Sequence, residues 1–137
     1  MNKQIEYYQN KLDYEMDPWD LFTGLEKGES VVPLDTRRAP AFLKEHIPGA
    51  ISLPHREMDE NTTKKLDKTI TYVCYCKGIG CNASTWGALK MAKLGFRVKE
   101  LFGGIECWKA DGYSTDGTQH TKGIDIKRSA THSETTV

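Results

Sequence analysis

The chain has 137 residues and four cysteines, and its 19 Lys and Arg balance 19 Asp and Glu, so the formal net charge is zero. This length suits one domain with a substantial core, and the neutral charge predicts neither a nucleic-acid nor a membrane partner. No segment approaches the roughly 18 apolar residues of a membrane helix, and the polar N-terminus is unlike a signal peptide, so we expect a cytoplasmic protein. In that reducing compartment, irregularly spaced cysteines do not indicate a disulfide framework.

Two helices are predicted before residue 31. In EYYQNKLDYEM, apolar and aromatic residues recur at spacings that suit one face of a helix. In the following DPWD, Asp17 suits a helix cap and Pro18 the first helical position. This second helix, WDLFTGLEKG, is expected to end at Gly28. Since neither helix carries obvious catalytic groups, we interpret residues 1–30 as a helical extension that packs on the domain.

From residue 31 onward, predicted strands and helices alternate. Short runs rich in β-branched and aromatic residues predict strands at VVPLD, AISLP, TITYVCY and RVKELF. Helices are predicted at PAFLKEH, ASTWGALKMAKLGF and IECWKADG, and in part of the polar stretch REMDENTTKKLD. The alternation predicts an α/β domain over residues 31–114, with a small, mainly parallel β-sheet flanked by helices. Residues 115–137, rich in Thr, Ser and charge, are predicted to form a polar, flexible tail.

Three of the four cysteines lie in YVCYCKGIGCNAS, where the uncharged strand ends. Ligands of parallel α/β sheets bind beyond the carboxyl ends of the strands, and Cys76 occupies that position. The loop that follows is rich in glycine, and its N–H groups, with the N-terminus of the next helix, favour negative charge. We therefore predict that Cys76 is a nucleophile with a lowered pKa. The predicted anion cradle comprises Lys77, Gly78, Ile79, Gly80, Cys81 and Asn82.

Four segments of the chain resemble the rhodanese-like domain, a sulfurtransferase module. They are VVPLDTR, EHIPGAISLP, ITYVCYCKGIGCNAS and ELFGGIECWKADGY, in the family's order within residues 31–112. The resemblance implies that Cys76 attacks a small sulfane-sulfur donor, carries the sulfur as a persulfide and passes it to a thiol, protein or cyanide-like acceptor. It implies neither a cofactor nor a metal. Asp35 and Arg37 match the family's Asp-x-Arg motif and are given supporting roles.

The end of the loop departs from the family pattern. Many rhodanese-like loops place Arg five residues after the nucleophile, followed by Ser or Thr, whereas this chain has Cys81 and Asn82. The absent guanidinium would anchor the sulfonate of thiosulfate, and Lys77 is a partial substitute because it cannot bind bidentately. A cysteine phosphatase is disfavoured as well, since it needs Arg six residues after its cysteine.

Several roles stay open at the level of the sequence. Cys81 is interpreted either as a small residue that fits a tight loop or as a resolving thiol that pairs with Cys76 or receives its sulfur. The chain is correspondingly a sulfurtransferase, a rhodanese-fold binding module with weak catalysis, or a thiol-redox protein. Cys74 and Cys107 are expected in the core. A zinc site is disfavoured because the C-x-C-x4-C spacing lacks a fourth ligand.

Two further side chains are noted near the predicted site. His55 follows a strand end and is a candidate to face the loop. Trp86, early in the helix after the loop, is expected in the core or in a pocket wall. The sequence does not fix the oligomeric state.

Overall fold

The computed structural model describes residues 2–127. Its helices are α1 (Asn2–Tyr14), α2 (Pro18–Glu26), α3 (Ala39–Lys44), α4 (Ala83–Lys93) and α5 (Gly104–Ala110), with a 3-10 turn at His55–Glu57. Its strands are β1 (Glu15–Met16), β2 (Val31–Asp35), β3 (Ile51–Ser52), β4 (Thr71–Tyr75) and β5 (Arg97–Leu101). None of the helices in this range is long and apolar enough to cross a membrane.

Within residues 2–127 the strands form one parallel sheet in the order β1-β5-β4-β2-β3. β4 is central, with β2 on one side and β5 on the other. The predicted α/β class, with a mainly parallel sheet, flanking helices and an N-terminal helical extension, is confirmed. Because the strands are parallel, their carboxyl ends meet at one edge of the sheet, where ligands of such folds bind. The loop after β4 lies at that edge.

The central strand is buried on both faces, as its uncharged sequence predicts. Val73 and Tyr75 belong to the core formed with α2 and α5, whereas Tyr72 and Cys74 belong to the core formed with α4. This division follows from the alternation of side chains along a strand. All four side chains are at most 1% exposed, so the strand holds the residue that follows it in a fixed position.

The N-terminal extension adds a strand to the sheet as well as helices. The side chain of Asp17 caps α2 by accepting a 2.8 Å hydrogen bond from the N–H of Asp20, and α2 buries Leu21 in the core. β1, Glu15–Met16, pairs in parallel with β5 and was not predicted, since two residues give no recognisable pattern. α1 buries none of its residues. The extension therefore buries side chains in the core through α2, whereas α1 contacts β5 without burying any of its residues.

The partial helix predicted after β3 does not form beyond the short 3-10 turn. Residues 58–70 run through turns instead. The carboxylate of Asp59 accepts from the N–H of Thr62 at 2.8 Å, and the hydroxyl of Thr63 donates to the carbonyl of Asp59 at 2.8 Å. Such local bonds between side chain and backbone compete with helix formation in a polar segment.

The described part of the C-terminal segment runs along the domain surface. The hydroxyls of Thr115 and Thr121 each donate to Glu45 at 2.6 Å, and Asp116 forms an antiparallel bridge with His46. Residues 128–137, the remainder of the predicted flexible tail, lie outside the described residues, and the domain limits at residues 31 and 114 stay predictions.

Candidate functional site

Cys76 follows β4 directly, and α5 fixes its backbone. The N–H groups of Ile105 and Glu106 donate to the carbonyl oxygens of Cys76 and Lys77, at 3.0 and 2.9 Å respectively. The close approach depends on Gly104, whose φ is +59° and whose added Cβ would lie 2.3 Å from the Cys76 carbonyl oxygen. The first turn of α5 therefore anchors the first two residues of the loop.

The sulfur of Cys76 lies inside the loop, since the residue is only 2% exposed. Its thiol donates to the carbonyl oxygen of Cys81 at 3.2 Å and lies 3.6 Å from the Ser84 hydroxyl. Ser84 in turn donates to Glu100 at 3.1 Å. Burial raises the pKa of Cys76, as does its side-chain hydrogen bond with Cys81, and Ser84 only partly offsets these effects. The lowered pKa predicted for this residue is therefore wrong for the described state, in which the Cys76 thiol keeps its proton.

Cys81 is exposed at the mouth of the loop and is the more acidic thiol of the pair. Burial raises its pKa, but the hydrogen bond from Cys76, the N–H groups of Ala83 and Lys77 and the charge of Arg37 outweigh burial and lower it. The N–H groups of Lys77 and Ala83 thus act on Cys81, whereas the N–H of Ser84 acts on Cys76. A protonated thiol lies beside a more acidic one and is bonded to the backbone carbonyl of the same residue.

The other residues of the predicted cradle lie in the same loop. The N–H of Cys81 donates to the carbonyl oxygen of Gly78 at 3.2 Å, which closes a tight turn. Gly78 is buried, whereas the exposed members are Lys77, Ile79, Gly80 and Asn82. Their role in holding an anion stays a prediction.

Asp35 and Arg37 brace the end of β2 next to the loop. The buried carboxylate of Asp35 accepts from Nε and Nη2 of Arg37 at 2.9 and 2.6 Å. Nη2 also donates to the carbonyl oxygen of Glu45 at 2.6 Å, and the guanidinium lies 5.8 Å from the ring centre of Tyr75. The guanidinium is thus held by the scaffold, while its charge still acts on Cys81.

The remaining cysteines lie apart from this pair. Cys74 is fully buried, and burial raises its pKa to about 12, so it is an inert core thiol. Cys107, also expected in the core, is only partly buried. Trp86 is 49% exposed, so its predicted place in the core is wrong, and its place in a pocket wall stays a prediction. Among residues 2–127, no three His, Cys, Asp or Glu side chains are grouped to hold a metal ion.

Two cavities meet at the loop. Cys76 lines a small one of about 190 Å³, together with Ser84 and Glu100. Cys81 borders both this cavity and a groove of about 490 Å³ on the other side of the loop. A larger space of about 630 Å³ between α4 and β5 includes neither cysteine in its lining and belongs to another part of the surface.

The groove contains residues that sequence reasoning missed. Arg38 and Arg56 line it together with His55, which the sequence had only marked as a candidate to face the loop. Ser84 and Glu100, beside Cys76, were also missed. No local signal could have found these residues, because segments far apart in the chain bring them together.

Comparison with known proteins supplies the family. The rhodanese-like domain family matches residues 20–111. The thiosulfate sulfurtransferase GlpE of Coxiella burnetii is 29% identical over 122 residues, which cover 88% of this chain and 99% of that protein.

Solved structures agree with this match. The crystal structure of the BH2092 protein from Bacillus halodurans is 41% identical, with a TM-score of 0.83 and coverage of 98% of both chains. The rhodanese-like domain of Alr3790 from Anabaena is 30% identical, with a TM-score of 0.67, and the match covers 77% of this chain and 80% of that domain. With its parallel sheet and a cysteine at the start of the loop after the central strand, the chain belongs to the rhodanese-like domain family.

Proposed function

We propose that the protein is a sulfurtransferase or persulfide carrier in which Cys76 is the nucleophile. The observation that carries this proposal is the position of Cys76, at the carboxyl end of the central strand and in the wall of a cavity, within a rhodanese-like domain. The name of the Coxiella burnetii relative, a thiosulfate sulfurtransferase, agrees with this reaction class. The substrates are a small sulfane-sulfur donor and a thiol, protein or cyanide-like acceptor.

The two neighbouring thiols supply a route to the active thiolate. The Cys76 thiol donates to the backbone carbonyl of Cys81, and the thiolate of Cys81, the more acidic partner, accepts the proton of Cys76. The Cys76 thiolate then attacks the outer sulfur of the donor. The bond between the two donor sulfurs breaks, and its electron pair leaves with the remainder of the donor, which is sulfite in the case of thiosulfate.

The product of this step is a persulfide on Cys76, whose negative charge lies on the outer sulfur. The backbone N–H and hydroxyl of Ser84 stabilise negative charge on the Cys76 sulfur. An acceptor thiolate or cyanide then attacks the outer sulfur and releases the Cys76 thiolate. The reaction is redox-neutral overall and needs both cysteines reduced, in keeping with the cytoplasmic location that we predict.

Mass spectrometry of the intact protein tests the proposal. After incubation with thiosulfate, an organic thiosulfonate or a polysulfide, we expect a gain of one sulfur atom that maps to Cys76 and is absent in Cys76→Ser. Cys107→Ser is the matched control, because Cys107 lies outside the loop, and it should load like the wild type. An unmodified Cys76 with every donor would reject the proposal, and equal turnover by wild type and Cys76→Ser would favour the binding-module alternative.

The thiol pair also favours a second candidate function, reversible disulfide chemistry. Neither cysteine is in a disulfide, the Cys76 thiol is bonded to the backbone of Cys81, and an acidic, exposed thiolate beside a protonated thiol is the arrangement of a resolving pair. Mild oxidation would then remove two titratable thiols and leave a Cys76–Cys81 bond that dithiothreitol reverses. Loss of no thiols, or formation of intermolecular bonds alone, would exclude this candidate.

A further inference from the structure

The groove beside Cys81 differs in charge from the cavity beside Cys76. Glu15 and Glu100 line the Cys76 cavity with one cation, Lys11. That cation is already paired with Glu15 at 2.9 Å. At about 190 Å³ the cavity is also smaller than the roughly 300–1,000 Å³ of usual small-molecule sites. It therefore suits a small donor and offers no free cation to an anionic one.

The groove has the opposite character. Arg38 and Arg56 are exposed, and within residues 2–127 neither forms an ion pair or a side-chain hydrogen bond, whereas Arg37 is held by Asp35. Glu57 is the only carboxylate in the described lining. The volume of about 490 Å³ falls within the range of sites for organic ligands.

An unpaired polar atom also lies in the wall of the groove. Nδ1 of His55 is buried and has no hydrogen-bond partner among the described residues. The backbone of His55 is fixed, because its N–H donates to the Thr36 carbonyl at 3.2 Å and its carbonyl accepts from Lys90 at 2.9 Å. Buried polar atoms in proteins are normally paired, so His55 is a residue of the groove lining at which the protein leaves a hydrogen-bonding atom unmatched.

We infer that this groove binds an anionic organic thiol, such as a carboxylate-bearing peptide thiol, as the sulfur acceptor, and that Cys81 delivers the sulfur to it. Cys81 is the residue that lines both cavities, so it connects the site of loading to the site of release. Arg38 and Arg56 would hold the carboxylates of the acceptor through charge-assisted hydrogen bonds. The inference rests on the proposed function.

The sulfur atom passes from Cys76 to the acceptor in two successive displacement reactions. The Cys81 thiolate attacks the outer sulfur of the Cys76 persulfide, the sulfur–sulfur bond breaks, and Cys76 leaves as a thiolate. The thiolate of the acceptor then attacks the same sulfur on Cys81, which leaves as a thiolate. The acceptor departs as a persulfide, and no oxidant or reductant is consumed.

Binding is tested on the full-length, unloaded protein with S-methylglutathione, which carries the carboxylates and cannot react. Calorimetry should show binding that weakens roughly tenfold in Arg38→Gln/Arg56→Gln and is lost for the diethyl ester of the same ligand. Arg97→Gln/Lys65→Gln removes two exposed charges that lie outside the groove lining and should bind like the wild type. Equal affinity in both double variants, or no binding by the wild type, would overturn the inference.

Transfer is tested on protein whose Cys76 carries the persulfide. Glutathione should discharge wild type faster than its diethyl ester does, and the advantage should disappear in Arg38→Gln/Arg56→Gln and in Cys81→Ser. In the arginine variant, cyanide should still discharge the persulfide, because it has no carboxylate to bind. If glutathione and its ester act alike on the wild type, the groove is not the acceptor site, although the proposed function stands. Failure of Cys76 to load rejects the proposed function, and the binding measurement still decides whether the groove takes anions.

Discussion

Replacing Gly104 with Ala tests whether the first turn of α5 holds the catalytic loop in place. The backbone at Gly104 has a φ of +59°, and an added Cβ would lie 2.3 Å from the carbonyl oxygen of Cys76 and 2.8 Å from the carbonyl carbon of Lys77. Both contacts are with backbone atoms and are shorter than real Cβ contacts, so the loop or the helix must move. The N–H···O bonds from Ile105 and Glu106 to the loop would lengthen or break.

The expected loss of unfolding free energy in Gly104→Ala is the sum of two costs. A left-handed conformation costs an L-residue about 1–2 kcal/mol relative to glycine, and forcing atoms into a packed site costs about 1–3 kcal/mol more. Gly49→Ala is the matched control, because Gly49 has a φ of +81° and nothing within 4 Å of its added Cβ. The control should bear only the first cost. The loss of unfolded-state entropy on going from Gly to Ala is common to both variants and cancels.

The assay combines urea unfolding with the rate of Cys76 alkylation by iodoacetamide, mapped by peptide mass spectrometry. Gly104→Ala should lose about 1–3 kcal/mol more unfolding free energy than Gly49→Ala, with an unchanged m-value. Its alkylation rate at Cys76 should also change, because the loop has shifted. Equal destabilisation of the two variants, or unaltered reactivity of Cys76 in a destabilised Gly104→Ala, would refute the anchoring role of α5.

Two other predictions concern side chains that the sequence did not assign. Glu45→Gln should lower the unfolding free energy at pH 7 by about 1–2 kcal/mol and speed amide exchange of Thr121, because Glu45 accepts from Thr115, Thr121 and Lys109. Burial raises the pKa of Glu45, but these bonds outweigh burial and lower the pKa below its ordinary 4.5. The stability difference between Glu45→Gln and wild type should therefore be present at pH 7 and vanish as the pH falls through the lowered pKa. A difference that persists in acid would contradict this prediction. Ser84→Ala should raise the pKa of Cys76 further and move its alkylation profile to higher pH, because Ser84 favours the thiolate. Thr85→Ala is the control, since Thr85 donates to Glu100 but does not contact Cys76, and an equal shift in both variants would assign the effect to Glu100.

The sequence predicted those features that local patterns encode. The uncharged run TITYVCY identified the central strand, and the residue after it could be placed at the carboxyl edge of the sheet. The cap at Asp17 follows equally from a local rule. β1 was missed because two residues carry no period, and the tethering of residues 115–121 was missed because it depends on Glu45, about seventy residues away.

The directions of the pKa shifts of Cys76 and Cys81 could not be predicted, because they depend on which atoms of the loop form hydrogen bonds with each sulfur. From the sequence, the N–H groups of the loop were assigned to Cys76, the residue nearest the strand. In the fold, the carbonyl of Cys81 turns towards the Cys76 thiol at 3.2 Å, whereas the N–H groups of Lys77 and Ala83 act on the Cys81 sulfur. No sequence pattern records the direction in which these peptide groups point.

Cys81 therefore affects the charge of Cys76 differently from the arginine that many rhodanese-like loops have at this position. A guanidinium would place a permanent positive charge beside Cys76 and favour its thiolate directly. Cys81 instead takes the negative charge itself and leaves Cys76 protonated until the proton passes between them. Under the proposed mechanism, attack on a donor begins with a neutral Cys81, which no longer repels an anion. The inferred transfer of sulfur to Cys81 then requires that proton to be released again. In the proposed mechanism, the loop that lacks a fixed cation thereby gains a residue that is the base in the first step and the nucleophile in the second.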